Sequence, residues 1–350
     1  MRVRNRGAWL LGIAVLAGSR LRRRPEISWA QRVVLIAGGS RGLGLELARE
    51  LVAGGAMVAL IARDGDRLEE VAQELRDSGG DVLTIPADVG APDQAREAVE
   101  RAVAWHGHLD ALINTAGVLQ VAPLETLSLE DFRTAVDVML WGPVHCTLAA
   151  LPALERSDVG RVATVTSIGG KVPVPHLLPY AVAKHAVVGF SESLRAELGP
   201  SGPRVVTVVP GFMRTGSHIH ALVKGSHEAE YRWFAAFAQM PLFSQPTDRA
   251  AQRILAGIAR GDAHVSNVWW APFAARLHGI APGLVSRIAG LISPLLPEAG
   301  DDVSPVGESV DEGAEQWRAG HEIGAGLGPL SGRAERTVAE HHQEPEGGSR

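Results

Sequence analysis

The chain has 350 residues, 46% hydrophobic and 21% charged, with a net charge of -5 and a single cysteine, Cys146. That length and apolar share suffice for one large or two modest domains around a buried core, while one cysteine excludes an intrachain disulfide and a cysteine-rich metal site and fits a reducing compartment. Residues 1–24 carry seven arginines and no acid, whereas residues 298–350 carry twelve acids against four arginines; a basic end beside an apolar run points to an anionic membrane surface rather than nucleic acid.

Within residues 1–30, the apolar run Gly7 to Ser19 is bracketed by Arg2, Arg4 and Arg6 and by Arg20 and Arg22 to Arg24. It is shorter than the roughly 20 residues that cross a bilayer, and the arginines after it oppose export. The reading is a membrane anchor or surface helix on a cytoplasmic protein, with packing against the body as the alternative.

From residue 31 to 270, short apolar runs alternate with helical stretches: Val33 to Ala37, Met57 to Ile61, Val82 to Ile85, Leu109 to Ile113, Val162 to Thr166 and Val205 to Val209, with His264 to Trp269 as a seventh candidate. This alternation predicts an α/β fold, a doubly wound parallel sheet in three αβα layers, Rossmann-like, as a single domain with terminal extensions. Ser128-Leu-Glu-Asp131 predicts a capped helix start leading into Phe132 to Leu151. Residues 211–245 read as a lid above the strand ends, with a helix over His218 to Met240 and the apolar side chains Phe234, Phe237, Met240, Leu242 and Phe243. Residues 271–297 are apolar and read as a packed extension, a membrane-facing surface being the alternative. From Glu298 the acid, Gly and Pro content predicts a disordered tail.

The first strand runs into Ala37-Gly-Gly-Ser-Arg-Gly-Leu-Gly44, with Gly38, Gly42 and Gly44 opening the helix from Leu43 to Ala53. A helix entered through glycines leaves backbone N–H groups free, which with the helix dipole suit a dinucleotide pyrophosphate. The second strand ends in Arg63, where a ribose 2′-phosphate would lie, and Arg41 sits in the glycine loop. Two guanidinium groups favour NADP over NAD. Tyr180 and Lys184 are four apart on one helix face. A neighbouring ammonium would lower the phenol's pKa from about 10 and make Tyr180 a general acid/base. Ser167, just after the fifth strand, could hydrogen-bond a substrate oxygen.

These motifs identify the chain as similar to the short-chain dehydrogenase/reductase family, in the single-domain subgroup with Gly-x-x-x-Gly-x-Gly, over residues 31 to 260. The resemblance implies that the nucleotide is held by the glycine loop, including Ser40 and Leu43, and by Asp88 and Val89 after the third strand. It extends to Asn114, Ala116 and Gly117 in Asn114-Thr115-Ala116-Gly117, and to Pro210, Gly211 and Thr215. It also implies that Lys184 binds the nicotinamide ribose, that Tyr180 protonates the nascent alkoxide, and that the protein is a homo-oligomer joined through the helices after the fourth and fifth strands. One position departs: Val138-Met139-Leu140-Trp141-Gly142 puts Met139 where the family carries an Asn that holds a proton-relay water, and a thioether cannot donate a hydrogen bond. His145 is a candidate substitute.

The expected function is an NADP-dependent oxidoreductase interconverting a carbonyl and an alcohol on an apolar or lipid-like small molecule. The alternative is an NADP(H)-binding sensor or membrane scaffold with weak turnover. The glycine spacing disfavours a sugar-nucleotide epimerase, and no metal is implied.

Overall fold

Val33–Ala37 (β1) is a run of five buried apolar residues, the pattern of a strand covered on both faces. The computed structural model, which describes residues 26–214, 221–226, 229–230, 233–234, 244–298 and 308–309, builds a sheet around it. The other strands of that sheet are Met57–Ala62 (β2), Asp81–Pro86 (β3), Ala111–Asn114 (β4), Arg161–Val165 (β6), Arg204–Val208 (β7) and His264–Val265 (β11). All seven are parallel in the order β11-β7-β6-β4-β1-β2-β3, so the topology reverses between β1 and β4, where Ala37 pairs with Asn114. Ligands of open α/β sheets bind at such a switch point, beyond the carboxyl ends of the strands.

Alternate residues of β1 serve two cores. Val34 and Ile36 pack with Leu47, Leu51, Leu68 and Ile254, from helices Gly42–Ala53 (α1), Gly65–Asp77 (α2) and Thr247–Arg260 (α7). Val33 and Leu35 pack with Val99, Ala150 and Leu154, from Pro92–His106 (α3) and Gly142–Arg156 (α5). The doubly wound, Rossmann-like fold is therefore the observed one.

Element ends shift for local reasons. Leu109 stays outside β4 because Asp110 turns its carboxylate onto the Val33 amide at 3.0 Å. The expected strand His264 to Trp269 stops at Val265, since the Asn267 side chain takes the Gly211 amide at 2.9 Å and Ser266 bonds the Val268 carbonyl. The helix expected after Ser128 begins as Leu129–Val136 (α4), with Asp131 accepting from both the amide and hydroxyl of Ser128 at 2.7 and 2.8 Å. Its next turn, Asp137–Trp141, is a π-turn before α5 resumes. By length and composition 129–156 could cross a membrane, but Cys146, Ala150 and Leu154 bury it against the sheet. Leu178–Leu198 (α6) follows β6.

The lid differs from its expectation. Ala221 and Val223 are buried, and Leu222–Val223 (β9) pairs with Gln120–Val121 (β5), so no continuous helix runs from 218 to 240; helical backbone is present at 229–230 and 233–234. Phe212–Arg214 (β8) pairs with Ser244–Pro246 (β10). Thr215, Phe237, Met240, Leu242 and Phe243 lie outside the described residues, as do residues 1–25. Within the expected disordered tail, Glu308–Ser309 (β12) pairs with β9; the rest beyond 298 is not described. The expected packed extension is two helices: Ala271–Ile280 (α8), which packs on Ile168 and Val268 through Ala271, and Pro282–Ile292 (α9), which buries no residue.

Candidate active site

At the end of β1 the chain turns sharply. Gly38 has φ 97°, and a Cβ there would stand 2.5 Å from the Ala116 amide nitrogen; at Gly44 it would stand 2.0 Å from the Gly38 carbonyl oxygen. Only glycine permits both approaches. The Thr115 hydroxyl lies 2.9 Å from the carbonyls of both Ala37 and Gly38 and braces the turn. Arg41 occupies the N-cap of α1 without a side-chain cap bond. The first-turn amides at Gly42, Leu43 and Gly44 thus open onto the crevice beside half-buried Ser40, a cradle that suits a pyrophosphate.

Arg41 pairs with Asp64 at 3.0 Å, and the other oxygen of Asp64 accepts the Arg67 amide to cap α2. Arg63 is exposed at the end of β2. Across the crevice, Asp88 accepts the Gly90 amide at 2.9 Å, and the carbonyl of buried Val89 sits 3.1 Å from His145 Nδ1. His145 also stacks on Trp141, so it is engaged away from Lys184. Asn114 bonds Thr147 through Nδ2 at 3.3 Å, while its buried Oδ1 lacks a protein partner. Ala116 and Gly117 follow Asn114 along the rim. Pro210 accepts the Ile168 amide at 2.8 Å, and Gly211 is held by Asn267.

Ser167 stands at the carboxyl end of β6 and accepts the Gly169 amide at 3.0 Å. Tyr180 and Lys184, one turn apart on α6, reach the same place: a Cβ on Gly169 would lie 3.4 Å from the Tyr180 ring and 3.6 Å from Ser167 Oγ. Lys184 is 5% exposed, with Nζ 5.7 Å from the Tyr180 ring centroid and donating to the Val165 carbonyl at 3.0 Å. Burial lowers the Lys184 pKa from 10.5 to about 8. For Tyr180, burial outweighs a hydrogen bond with Ser167, and the phenol is raised above its ordinary value rather than lowered as the sequence led us to expect. Removing a phenolate from water costs more than the Ser167 hydrogen bond returns. Met139 is buried on the π-turn beside Ala183 and Tyr180. A methyl on Gly117 would touch both its Sδ, at 3.7 Å, and Lys184 Nζ, at 3.9 Å.

Several contributors carried no sequence signal. Asn267 lies in an unpatterned loop. His176, at φ 61°, bonds Glu230 at 2.8 Å, and Trp233 donates to Glu230 at 2.6 Å, fastening the segment around Glu230 to the chain four residues ahead of Tyr180. Lys224 reaches Asp131 at 2.7 Å; burial pushes that carboxyl up, but bonds from Lys224 and Ser128 hold it below the usual range. Val121, Leu177, Val223 and Phe234 form an apolar cluster against Tyr180.

The sequence model of the short chain dehydrogenase family matches residues 32–222. The chain is 32% identical over 259 residues to 11-beta-hydroxysteroid dehydrogenase-like 3 of Arabidopsis thaliana, covering 73% of this chain and 79% of that one. It is 35% identical over 209 residues to dehydrogenase/reductase SDR family member 7B of Danio rerio, covering 58% and 67%. A short chain dehydrogenase from Burkholderia cenocepacia, solved in complex with NADP, superposes with TM-score 0.59 at 26% identity, covering 69% of this chain and 97% of that one. One from Burkholderia phymatum, solved with NAD, superposes with TM-score 0.67 at 22% identity, covering 74% and 96%, and speaks for the fold. Sheet order, glycine turn and family match together make the chain a member of the short-chain dehydrogenase/reductase family, an NAD(P)-dependent oxidoreductase acting on CH–OH groups.

Proposed function

We propose that this protein is an NADP-dependent oxidoreductase that interconverts a ketone and a secondary alcohol on an apolar, lipid-like substrate, with Tyr180 as general acid/base. The observation that carries the reading is the convergence of Ser167, Tyr180 and Lys184 at the carboxyl end of β6, across the switch point from the glycine cradle. The first-turn amides at Gly42, Leu43 and Gly44 bind the pyrophosphate, with Gly38, whose own amide is held by the Ile61 carbonyl, shaping the turn beside them. Asp88 and Val89 line the adenine side, and Asn114, Ala116 and Gly117 the central rim. Pro210 and Gly211 meet the nicotinamide end.

The dinucleotide supplies or accepts the hydride. Ser167 orients the substrate oxygen by hydrogen bonding. Tyr180, kept protonated by burial, hands its proton to the alkoxide oxygen as reduction proceeds. Lys184 would bind the ribose hydroxyls and hold positive charge beside the phenol as it loses its proton. For the 2′-phosphate, Arg63 is open, and Asp64, the nearest acid, is committed to Arg41 and to capping α2. The apolar cluster beside Tyr180 and the hydroxysteroid names of the plant relatives support a bulky apolar alcohol or ketone. Exposed Trp141, Leu148 and Val182 support a homo-oligomer joined through α4–α5 and α6; the basic and apolar composition of residues 1–24 supports a cytoplasmic location at a membrane surface.

The test is NADPH oxidation against apolar ketones by wild type and Tyr180→Phe. The variant should bind NADPH normally and lose on the order of 10²- to 10⁴-fold in turnover; undiminished turnover would sink the role of Tyr180. Met139, buried in place of a relay residue, favours a second reading: an NADP(H)-binding protein with weak turnover.

A further inference from the structure

Residues 265–297 contain no acid, and their only formal charges are Arg276 and Arg287. On α8, Phe273, Leu277 and Ile280 recur at helical spacing with exposures of 68, 37 and 84%; on α9, Leu284, Ile288 and Leu291 do the same at 53, 48 and 76%. Each set lies on one face of its helix, and each arginine directly precedes the middle residue of its stripe, at the stripe's flank. Trp269, 76% exposed, begins the surface. The opposite side of α8, through Ala271, Ala274 and Ala275, packs on Ile168 and Val268. The hairpin therefore leaves the body beside the segment that follows Ser167, on the substrate side.

We propose that the α8–α9 hairpin is a bilayer-docking surface, its apolar stripes seated at the acyl boundary and Arg276 and Arg287 against anionic phospholipid headgroups. An aromatic-tipped apolar face flanked by arginines and free of acid is what an interfacial helix presents. A second copy of the chain is the less complementary occupant, because a two-fold contact of this patch with itself brings four arginines into one interface and no carboxylate. Delivery of apolar substrate from the bilayer to the adjacent mouth rests on the function proposed above; docking does not.

The experiment is flotation of the full chain with vesicles of 70% phosphatidylcholine and 30% phosphatidylserine, and with phosphatidylcholine alone. Wild type should float with the anionic vesicles. Ile280→Glu/Leu291→Glu should partition at least tenfold less, while Arg276→Gln/Arg287→Gln, a pair of exposed substitutions that leaves the packing intact, should lose about fivefold of anionic preference per charge. Thermal midpoint and NADPH-dependent turnover of a water-soluble ketone should be unchanged in both variants, so a failure of the enzymatic reading shows in turnover and a failure of docking in flotation. Three outcomes would overturn the proposal: wild type staying with the soluble fraction, both variants floating like wild type, or the glutamate variant falling from dimer to monomer by light scattering with flotation intact.

Discussion

Replacing Lys184 by methionine should stabilise the ligand-free protein while abolishing turnover. The residue is 5% exposed, its ammonium donates to the Val165 carbonyl at 3.0 Å, and burial takes its pKa from 10.5 to about 8. At about 1.4 kcal/mol per unit, that shift corresponds to roughly 3 kcal/mol for holding the charge in the folded state at neutral pH. Methionine is of similar length and carries no charge; losing the bond to Val165 costs about 1 kcal/mol, which leaves a net gain of about 2 kcal/mol. In a domain of 150–250 residues this is about 4–8 °C in Tm. The dependence on pH separates this effect from ordinary repacking. Below pH 8 the lysine is protonated in both states and the folded protein bears the whole desolvation cost. Between pH 8 and 10.5 the folded state has released a proton that the unfolded chain still holds, so wild-type stability gains a rising contribution across that window. The variant lacks it, and its advantage should fade as pH approaches 10.5. Urea denaturation of both proteins at pH 7 and pH 10 measures the difference. A methionine variant less stable than wild type at pH 7, or an advantage equal at both pH values, would refute the reasoning.

Gly44→Ala should lower both stability and nucleotide affinity, because its Cβ meets a backbone carbonyl at 2.0 Å, which cannot swing aside; overpacking of this kind costs about 1–3 kcal/mol or more, and calorimetric titration with NADPH should show at least tenfold weaker binding. Arg63→Ser should weaken NADPH at least tenfold and leave NADH nearly unchanged, as expected for one lost charge-assisted phosphate contact; equal losses for both cofactors would place Arg63 outside phosphate recognition. Met139→Asn should raise turnover if the buried thioether beside Lys184 interrupts proton supply, and kcat against pH for the two proteins is the comparison to make; identical profiles would mean that the proton path runs elsewhere.

The class of fold was legible because its signals are local. A buried parallel strand reads as a nearly continuous apolar run, as Val33–Ala37 does, and a glycine needed for close backbone approach, such as Gly44, is visible as a letter in the chain. Side-chain spacing marked Tyr180 and Lys184 as neighbours on one helix for the same reason. The features that were not legible depend on distant partners. The two-residue strand β9 arises because β5 lies alongside it, and Glu230 acquires its place only when His176 and Trp233 close around it. The direction of the Tyr180 shift needed tertiary structure too: four residues of spacing promise a helpful ammonium, but only packing sets how far phenol and amine are removed from water. The exposure of α8 and α9 was decided likewise, since composition makes an apolar segment and the body of the fold determines whether any surface is left to cover it.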